Sequence, residues 1–488
     1  MRLANPTIAG FYPDPSVVRV GDDYYLACST FEYLPGIPVF HSRDLVSWTR
    51  VGHVVGRPEQ LAVGQVPTGG GAWAPTIRHH DGLFWVAVTD ALGRGTLLFT
   101  APDPAGPWSD GAVVEGVDGI DPDLAWDADG TCYLTYSALR LSGDNMGAHD
   151  GIEQVRIDPY AAKALEEPRS MWSGTGLMFP EAPHLYQRDG WWYLMIAEGG
   201  TERGHAVSIA RGRRPDGPFE GAPANPILSA RSTSRPVQNT GHGDLVSTPD
   251  GEWAMVLLGM RTLGMTRAFS PLGRETFATR VTWVDGWPVA EPVHLTEPAA
   301  PVSLTGSGLD GDWIAVRRLP ADVADVRAGS LVLRGEGTGM DDPRPVFVGV
   351  RQRHHRMRFS AEIDAGAGTG GLSLRYDEAH HYDIEVGDGL VTARGRLSGL
   401  TQTWTAPVDT PRVTLWIETA PVAAAGFDAL TSDTVRLGYD TPAGPVALAT
   451  LDGRYLTAET AASFTGRVVG AYAVDGTVAA DAVRYEGS

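Results

Sequence analysis

The chain has 488 residues, 43% of them hydrophobic, and a formal net charge of −20 at pH 7. This length predicts more than one domain, and the 60 Gly and 35 Pro residues favour short strands and many turns over long helices. The negative charge repels phosphate backbones and anionic membranes, and no run of Lys or Arg opposes it, so neither nucleic acid nor a membrane is an expected partner.

Residues 1–6 contain no apolar segment and no small-residue cleavage site, so a cytoplasmic location is expected. No apolar stretch approaches the length that spans a membrane. Cys28 and Cys132 occupy comparable strands of different repeats, and both are expected to be buried thiols.

One pattern returns five times before residue 300: a short apolar strand, an acidic turn with Gly, and an aromatic-rich strand. Each copy predicts a β-hairpin, because Asp-Gly supplies the positive φ that a two-residue turn needs. A recurrence at roughly 50 to 60 residues indicates radial repetition, with one sheet per repeat. The turns are Gly21-Asp22, Asp81-Gly82, Asp129-Gly130, Asp189-Gly190 and Asp250-Gly251.

A second hairpin follows the first in each repeat, with a polar turn that ends in an aromatic residue, as in residues 42–48, 101–108 and 214–219. Two hairpins make a four-stranded sheet, which is the blade of a β-propeller. The sequence therefore predicts an all-β fold with a five-bladed β-propeller over residues 1–300.

The pattern changes near Trp287. Residues 288–311 are rich in Pro, Ala, Ser and Gly and are interpreted as a linker. Period-2 alternation then resumes, for example in residues 357–363 and 412–417. We therefore expect a second all-β domain over residues 301–488, most simply a two-sheet sandwich.

A short polar element precedes the first hairpin of each repeat. A propeller lays its innermost strands along one axis, so these elements should converge on a central pocket. Two of the carboxylates, Asp14 and Asp121, precede a proline, which favours an extended conformation for each of them. The elements bring Asp14, Trp73, Asp121, Glu181 and His242 to equivalent places.

Carboxylates that share a pocket do not all stay ionised, because burial and like charge raise their pKa values. The expected result is one protonated acid and one ionised base. Two carboxylates that flank a bond to a sugar cleave glycosides, and a separation of about 6.5–9.5 Å leaves room for water and gives inversion.

Several of these motifs, in both halves of the chain, resemble those of glycoside hydrolase family 43. The closest likeness is to its β-xylosidases with a C-terminal concanavalin-like, jelly-roll sandwich. The motifs are residues 11–16, 119–122, 179–186 and 240–244 in the first domain, and residues 348–352 and 380–382 in the second.

The resemblance implies an inverting hydrolase in which Asp14 is the general base, Glu181 the general acid and Asp121 the residue that orients and tunes the acid. Asp123 is a competing candidate, because alternation along a strand aims residues i and i+2 the same way. Asp121 is preferred because it precedes the proline, as in the family.

The expected sugar site needs aromatic faces and groups that bind hydroxyls. Phe31 and Trp73 are the expected platforms, and Arg274 is the cation expected to face Asp121 or sugar oxygens. Thr201 is a further hydroxyl-binding candidate. The resemblance suggests that His242 holds an axial structural Ca²⁺ or lines the pocket, and no cofactor is expected for the chemistry itself.

The predicted activity is exo-cleavage that releases xylose from the non-reducing end of β-1,4-xylo-oligosaccharides. An α-L-arabinofuranosidase, or both activities in one pocket, is the main alternative, and a non-catalytic carbohydrate-binding propeller is less favoured. The expected partner is a small oligosaccharide, and assembly into a homo-oligomer is allowed. A loop near Phe464 is expected to reach from the second domain toward the pocket.

Overall fold

The computed structural model describes residues 2–264, 268–296, 302–305, 309, 311–366, 368–423, 430–461 and 464–488. The strands form five propeller sheets and two larger sheets, so the predicted all-β fold, a five-bladed propeller followed by a sandwich, is confirmed. The predicted domain boundary, between residues 300 and 301, lies outside the described residues.

Each blade is an antiparallel meander of four strands, and blades 3 and 4 each carry one more short strand. Blade 1 contains β1 (Ser16–Val20), β2 (Asp23–Ala27), β4 (Gly36–Ser42) and β5 (Thr49–Val55), and blade 2 contains β6 (Gly71–His80), β7 (Leu83–Ala91), β8 (Gly95–Ala101) and β9 (Ala112–Val113). Blade 3 contains β10 (Ile120–Trp126), β11 (Cys132–Leu139), β12 (His149–Asp158), β13 (Lys163–Ala164) and β14 (Arg169–Trp172). Blade 4 contains β15 (Glu181–Arg188), β16 (Trp191–Glu198), β17 (Ala206–Gly212), β18 (Glu220–Gly221) and β19 (Leu228–Ser229). Blade 5 contains β20 (Val237–Ser247), β21 (Trp253–Arg261), β22 (Glu275–Val284) and β23 (Trp287–Ala290).

The hairpin turns have the predicted backbone conformations. Asp81 and Asp189, and the glycine after each, all have positive φ, as a two-residue hairpin turn requires. In the turns at Gly130 and Gly251, the glycine has a positive φ and the aspartate before it does not. The innermost strands β1, β6, β10, β15 and β20 contact one another in ring order around the axis.

The N-terminal segment, before β1, bonds to blade 5 and so closes the ring of blades. The Asn5 side chain accepts a hydrogen bond from the Ala278 amide and donates to the Ala278 and His294 carbonyls. Ile8 bridges to Thr276 in β22. The predicted linker began too early, because Pro288 lies in β23, which completes blade 5 by pairing with β22.

The second domain is a sandwich of two eight-stranded sheets. One sheet contains β24 (Val302–Thr305), β26 (Ala324–Arg327), β27 (Ser330–Arg334), β29 (Met357–Asp364), β34 (Arg412–Pro421), β35 (Asp433–Thr441), β36 (Gly444–Asp452) and β38 (Thr477–Gly487). The other contains β3 (Tyr33–Leu34), β25 (Ile314–Val316), β28 (Phe347–Arg351), β30 (Thr369–Asp377), β31 (His380–Gly387), β32 (Leu390–Leu397), β33 (Leu400–Pro407) and β37 (Val468–Asp475). The helices of the described residues are α1 (Pro320–Val323) and two 3₁₀ turns, Pro58–Gln60 and Gly453–Tyr455. None of them is long and apolar enough to cross a membrane.

The two domains share one sheet. β3 comes from the propeller but pairs with β25 of the sandwich, and the Arg375 guanidinium donates to the Tyr33 hydroxyl across the boundary. An apolar cluster joins Phe11 and Phe31 to Val468 and other sandwich residues. Propeller and sandwich therefore fold against each other as one packed body.

Candidate active site

A cavity of about 500 Å³ opens at the axis of the propeller. The structure brings all eight predicted site residues to its wall, together with Phe464 of the sandwich domain. The predicted residues are Asp14, Phe31, Trp73, Asp121, Glu181, Thr201, His242 and Arg274.

Bulges in the innermost strands occur at four of these residues: Trp73, Asp121, Glu181 and His242. The pairing register shifts between Ala72 and Pro75, between Ile120 and Asp123, between Glu181 and His184, and on both sides of Gly241. A bulge bends its strand and re-aims a side chain. These four residues therefore lie where regular pairing is interrupted.

The expectation that Asp14 and Asp121 are extended is wrong. Their φ angles are +56° and +53°, in the left-handed region that Asp tolerates better than most residues. Hydrogen bonds to each carboxylate hold this conformation against the local preference set by the following proline.

Asp14 is buried and held by three other side chains. The Ser29 hydroxyl donates to Oδ2 at 2.6 Å, and the Arg274 guanidinium donates to Oδ1 at 2.9 Å. His242 Nδ1 lies 3.6 Å from Oδ1. Arg274 was expected to face Asp121 or sugar oxygens; it forms its ion pair with Asp14 and lines the cavity, and its contact with sugar oxygens stays a prediction. These contacts fix the position of the Asp14 carboxylate at the cavity wall.

Asp121 and Glu181 face each other across the boundary between blades 3 and 4. Asp121 accepts a hydrogen bond from the amide of Ala182, the residue after Glu181, at 3.0 Å. Burial, and then the charge of Asp14, raise the pKa of Asp121 to about 7. Burial, followed by the charges of Asp121 and Asp14, holds the pKa of Glu181 well above its usual range. Glu181 is therefore suited to carry a proton at neutral pH.

Asp123 is fully buried and is not among the residues that line the cavity. The Arg78 guanidinium pairs with it at 2.7 Å, and the Leu185 amide donates to it at 2.8 Å. Arg78 also bonds Asp244, from blade 5, at 2.9 Å. Asp123 thus belongs to a buried charge network that ties the blades together, whereas Asp121 lines the cavity.

Three aromatic rings form one wall. Phe464 stacks on Phe31 at a centroid distance of 6.4 Å and meets Trp73 edge-on at 6.2 Å. Its carbonyl accepts from the Arg274 guanidinium at 3.4 Å, and Thr201 Oγ1 accepts from the same guanidinium at 3.0 Å. The predicted approach of the sandwich loop to the propeller pocket is confirmed.

His242 lies in the cavity wall, and burial lowers its pKa to about 3, so the imidazole is neutral. Among the described residues, no group of three or more His, Cys, Asp or Glu side chains could hold a metal ion. A calcium ion at His242 would therefore need water for most of its ligands. The calcium site stays a prediction, and no catalytic step is derived through a metal.

The cavity wall also contains residues that the sequence analysis did not assign to the site. They are Ala74, Ile120, Leu139, Met178, Phe179, Gly199, Gly200 and Glu202. Phe179 belongs to the motif of residues 179–186, which was the available signal, whereas nothing in the sequence singles out Leu139, at the far end of β11.

Two family models match the chain. Residues 3–288 match glycosyl hydrolases family 43, and residues 305–486 match the beta xylosidase C-terminal concanavalin A-like domain. A xylosidase/arabinosidase of Butyrivibrio fibrisolvens is 36% identical in an alignment of 387 residues that covers 74% of this chain and 74% of that protein. A non-reducing end alpha-L-arabinofuranosidase of Bacteroides ovatus is 36% identical in an alignment of 502 residues that covers 96% of this chain and 90% of that protein.

Solved structures share the complete two-domain architecture. A xylan beta-1,4-xylosidase from Bacillus halodurans has a TM-score of 0.87 at 28% identity and covers 99% of this chain and 100% of its own. The propeller with its carboxylate-lined cavity, the sandwich and the family models all agree: the chain belongs to glycoside hydrolase family 43 and carries the concanavalin A-like C-terminal domain.

Proposed function

We propose that the protein is an inverting, exo-acting glycoside hydrolase that releases xylose from the non-reducing end of β-1,4-xylo-oligosaccharides. The observation that carries this proposal is the set of three carboxylates in one cavity, with Glu181 favoured in its protonated form. Asp14, paired with Arg274, is ready to act as the base. This division suits glycoside cleavage by an acid and a base.

In the proposed step, the Asp14 carboxylate takes a proton from a water molecule, and the water oxygen attacks the anomeric carbon. Glu181 donates its proton to the glycosidic oxygen as the bond between carbon and oxygen breaks. The products are xylose, with its anomeric configuration inverted, and the shortened sugar. Loss of the proton from Asp14 and uptake of a proton by Glu181, through solvent, reset the site. Asp121 orients Glu181 and keeps its pKa high.

The exo mode is supported by the shape of the site. A cavity of about 500 Å³ lies within the range of about 300–1,000 Å³ that is usual for small ligands. Phe464 and Trp73 wall off one side, so the chain end of a sugar enters more readily than the middle of a long polymer.

Arabinofuranosidase activity is the second candidate, since one relative is named as a non-reducing end alpha-L-arabinofuranosidase and another as a xylosidase/arabinosidase. Paired measurements of kcat/KM on aryl β-xyloside and aryl α-L-arabinofuranoside test the assignment. The proposal expects the xyloside to be preferred. A higher kcat/KM on the arabinofuranoside would make arabinofuranosidase the main activity. No turnover of either substrate would refute both assignments.

The anomeric configuration of the first product tests inversion. If Asp14 activates water directly, hydrolysis of a β-xyloside releases α-xylose first, which proton NMR detects before mutarotation. Early accumulation of β-xylose would instead require a covalent intermediate and would exclude this mechanism.

Replacing Asp121 with Asn should shift the pH dependence of kcat/KM. The Asp121 charge helps to raise the pKa of Glu181, so removing that charge lowers this pKa. The alkaline limb of the pH profile should therefore move to lower pH while the rate falls. Asp123→Asn is the control, and movement of the limb in that variant alone would show that Asp123 is the tuning residue.

Four further expectations stay predictions: catalysis without a cofactor, a structural calcium ion at His242, a cytoplasmic location and a homo-oligomeric assembly. A small oligosaccharide remains the partner that the site fits.

A further inference from the structure

Two large apolar side chains lie two and three residues before the proposed acid and are open to solvent. Met178 is 66% exposed and Phe179 is 43% exposed, and both line the cavity. Apolar surface in water is unfavourable, and any group that covers it gains free energy. The position of this pair beside Glu181 points to contact with a ligand.

The segment that displays this pair is held firmly. The Gly199 amide donates to the Met178 carbonyl at 2.6 Å, and the Ser137 hydroxyl donates to the Pro180 carbonyl at 3.0 Å. Phe179 has a φ of +54°, which is strained for a bulky residue. Such strain persists only where the surroundings impose it, and it concentrates at functional sites.

The Phe179 ring packs against His149 and lies beside Gly200. His149 meets it edge-on at a centroid distance of 6.0 Å. A Cβ atom at Gly200 would lie 3.4 Å from Phe179 Cδ2, which is an ordinary contact distance, so Gly200 borders the ring. The ring is thus presented to the cavity in a defined orientation.

The geometry of the inverting reaction indicates which part of the substrate Met178 and Phe179 would contact. In an inverting reaction, water attacks from the face where Asp14 lies, and the leaving group departs on the side of the acid. Glu181 must reach the leaving oxygen. Residues next to Glu181 that line the cavity, and that are not partners of Asp14, therefore border the leaving group.

We propose that Met178 and Phe179 form the leaving-group subsite and determine leaving-group specificity through apolar contact. The inference rests on the proposed function and names the class of group that the subsite accepts: one with an apolar face, such as the C–H face of a xylopyranose or an aromatic ring. Glu202 is an exposed carboxylate that lines the same cavity. It represents the alternative to apolar contact, in which hydrogen bonds to the hydroxyls of the leaving group determine specificity.

Three substrates separate these effects in the full-length protein. Xylobiose needs both a proton from the acid and contact with the leaving sugar. 2,4-Dinitrophenyl β-xyloside has an aromatic leaving group that needs little protonation, and β-xylosyl fluoride has a leaving group with almost no surface. kcat/KM is measured for Phe179→Ala, Met178→Ala, Glu202→Ala and, as an apolar control, Leu400→Ala, whose side chain is 75% exposed in the sandwich.

Phe179→Ala should lower kcat/KM about tenfold on xylobiose and on the dinitrophenyl xyloside, and leave it unchanged on the fluoride. Met178→Ala should show the same pattern with a smaller loss, and Leu400→Ala no loss. An unchanged thermal midpoint checks that each variant is folded.

Other patterns would overturn the inference. A loss on xylobiose alone would mean that Glu181 had been displaced, and equal losses on all three substrates would mean general damage to the site. A loss from Glu202→Ala with none from Phe179→Ala would assign recognition to hydrogen bonding. If the unsubstituted protein cleaved none of the xylosides, the proposed function itself would fail, and the inference with it.

Discussion

Replacing Glu181 with Ala should lower kcat/KM on xylobiose by about 10²–10⁴-fold, the usual contribution of a general acid. The loss should be far smaller on a xyloside with a strongly acidic phenol, because that leaving group departs without a proton. The measurement is the ratio of kcat/KM on the two substrates, in the variant and in the unsubstituted protein.

Asp14→Ala is the diagnostic comparison. The attacking water needs its base whatever the leaving group, so this variant should be poor on both substrates. Glu220→Ala removes an exposed carboxylate from β18 and should have no effect on either. Equal losses for Glu181→Ala on both substrates would contradict the assignment of the acid.

Deleting the chain from residue 305 onward should give insoluble or inactive protein. The deletion removes β25, the partner of β3, and uncovers the apolar cluster that contains Phe11, Phe31 and Tyr33. Patches of this kind drive aggregation when they are exposed. It also removes Phe464 and with it one wall of the cavity.

The point variant Phe464→Ala separates the exposure of the apolar cluster from the loss of the cavity wall. Its side chain is 44% exposed, so the variant should stay folded while kcat/KM on xylobiose falls. Soluble yield, the thermal midpoint and xylobiose turnover are measured for both proteins. A soluble truncated propeller with undiminished turnover of xylobiose would show that the second domain is dispensable.

The fold could be predicted because its determinants are local. A positive φ at Asp81 and Gly82 is encoded in the two residues themselves, and the alternation in β29 matches its burial pattern. The last strand of blade 5 could not be predicted from local residues in this way. Pro288 looks like a linker residue, but β23 is a short strand at the edge of its sheet, where proline is tolerated.

The candidate site was predictable for a related reason. Equivalent positions of a repeat converge on one axis, so Asp14, Asp121 and Glu181 could be grouped without knowledge of any contact. Their conformations could not be foreseen, because Asp121 combines a left-handed φ with a hydrogen bond from Ala182 in the next blade, a partner 61 positions away.

The sequence by itself determined the repeated hairpins with their turns, the number of blades and the set of carboxylates, because each of these follows from neighbouring residues or from the repeat. The tertiary structure decided how these residues are paired. Arg274 bonds Asp14 across 260 positions of the chain and Phe464 across 190, and Asp123 is sequestered by Arg78 while Asp121 stays in the cavity. Contacts over such separations depend on how the blades and the sandwich pack, and no local pattern in the sequence encodes them.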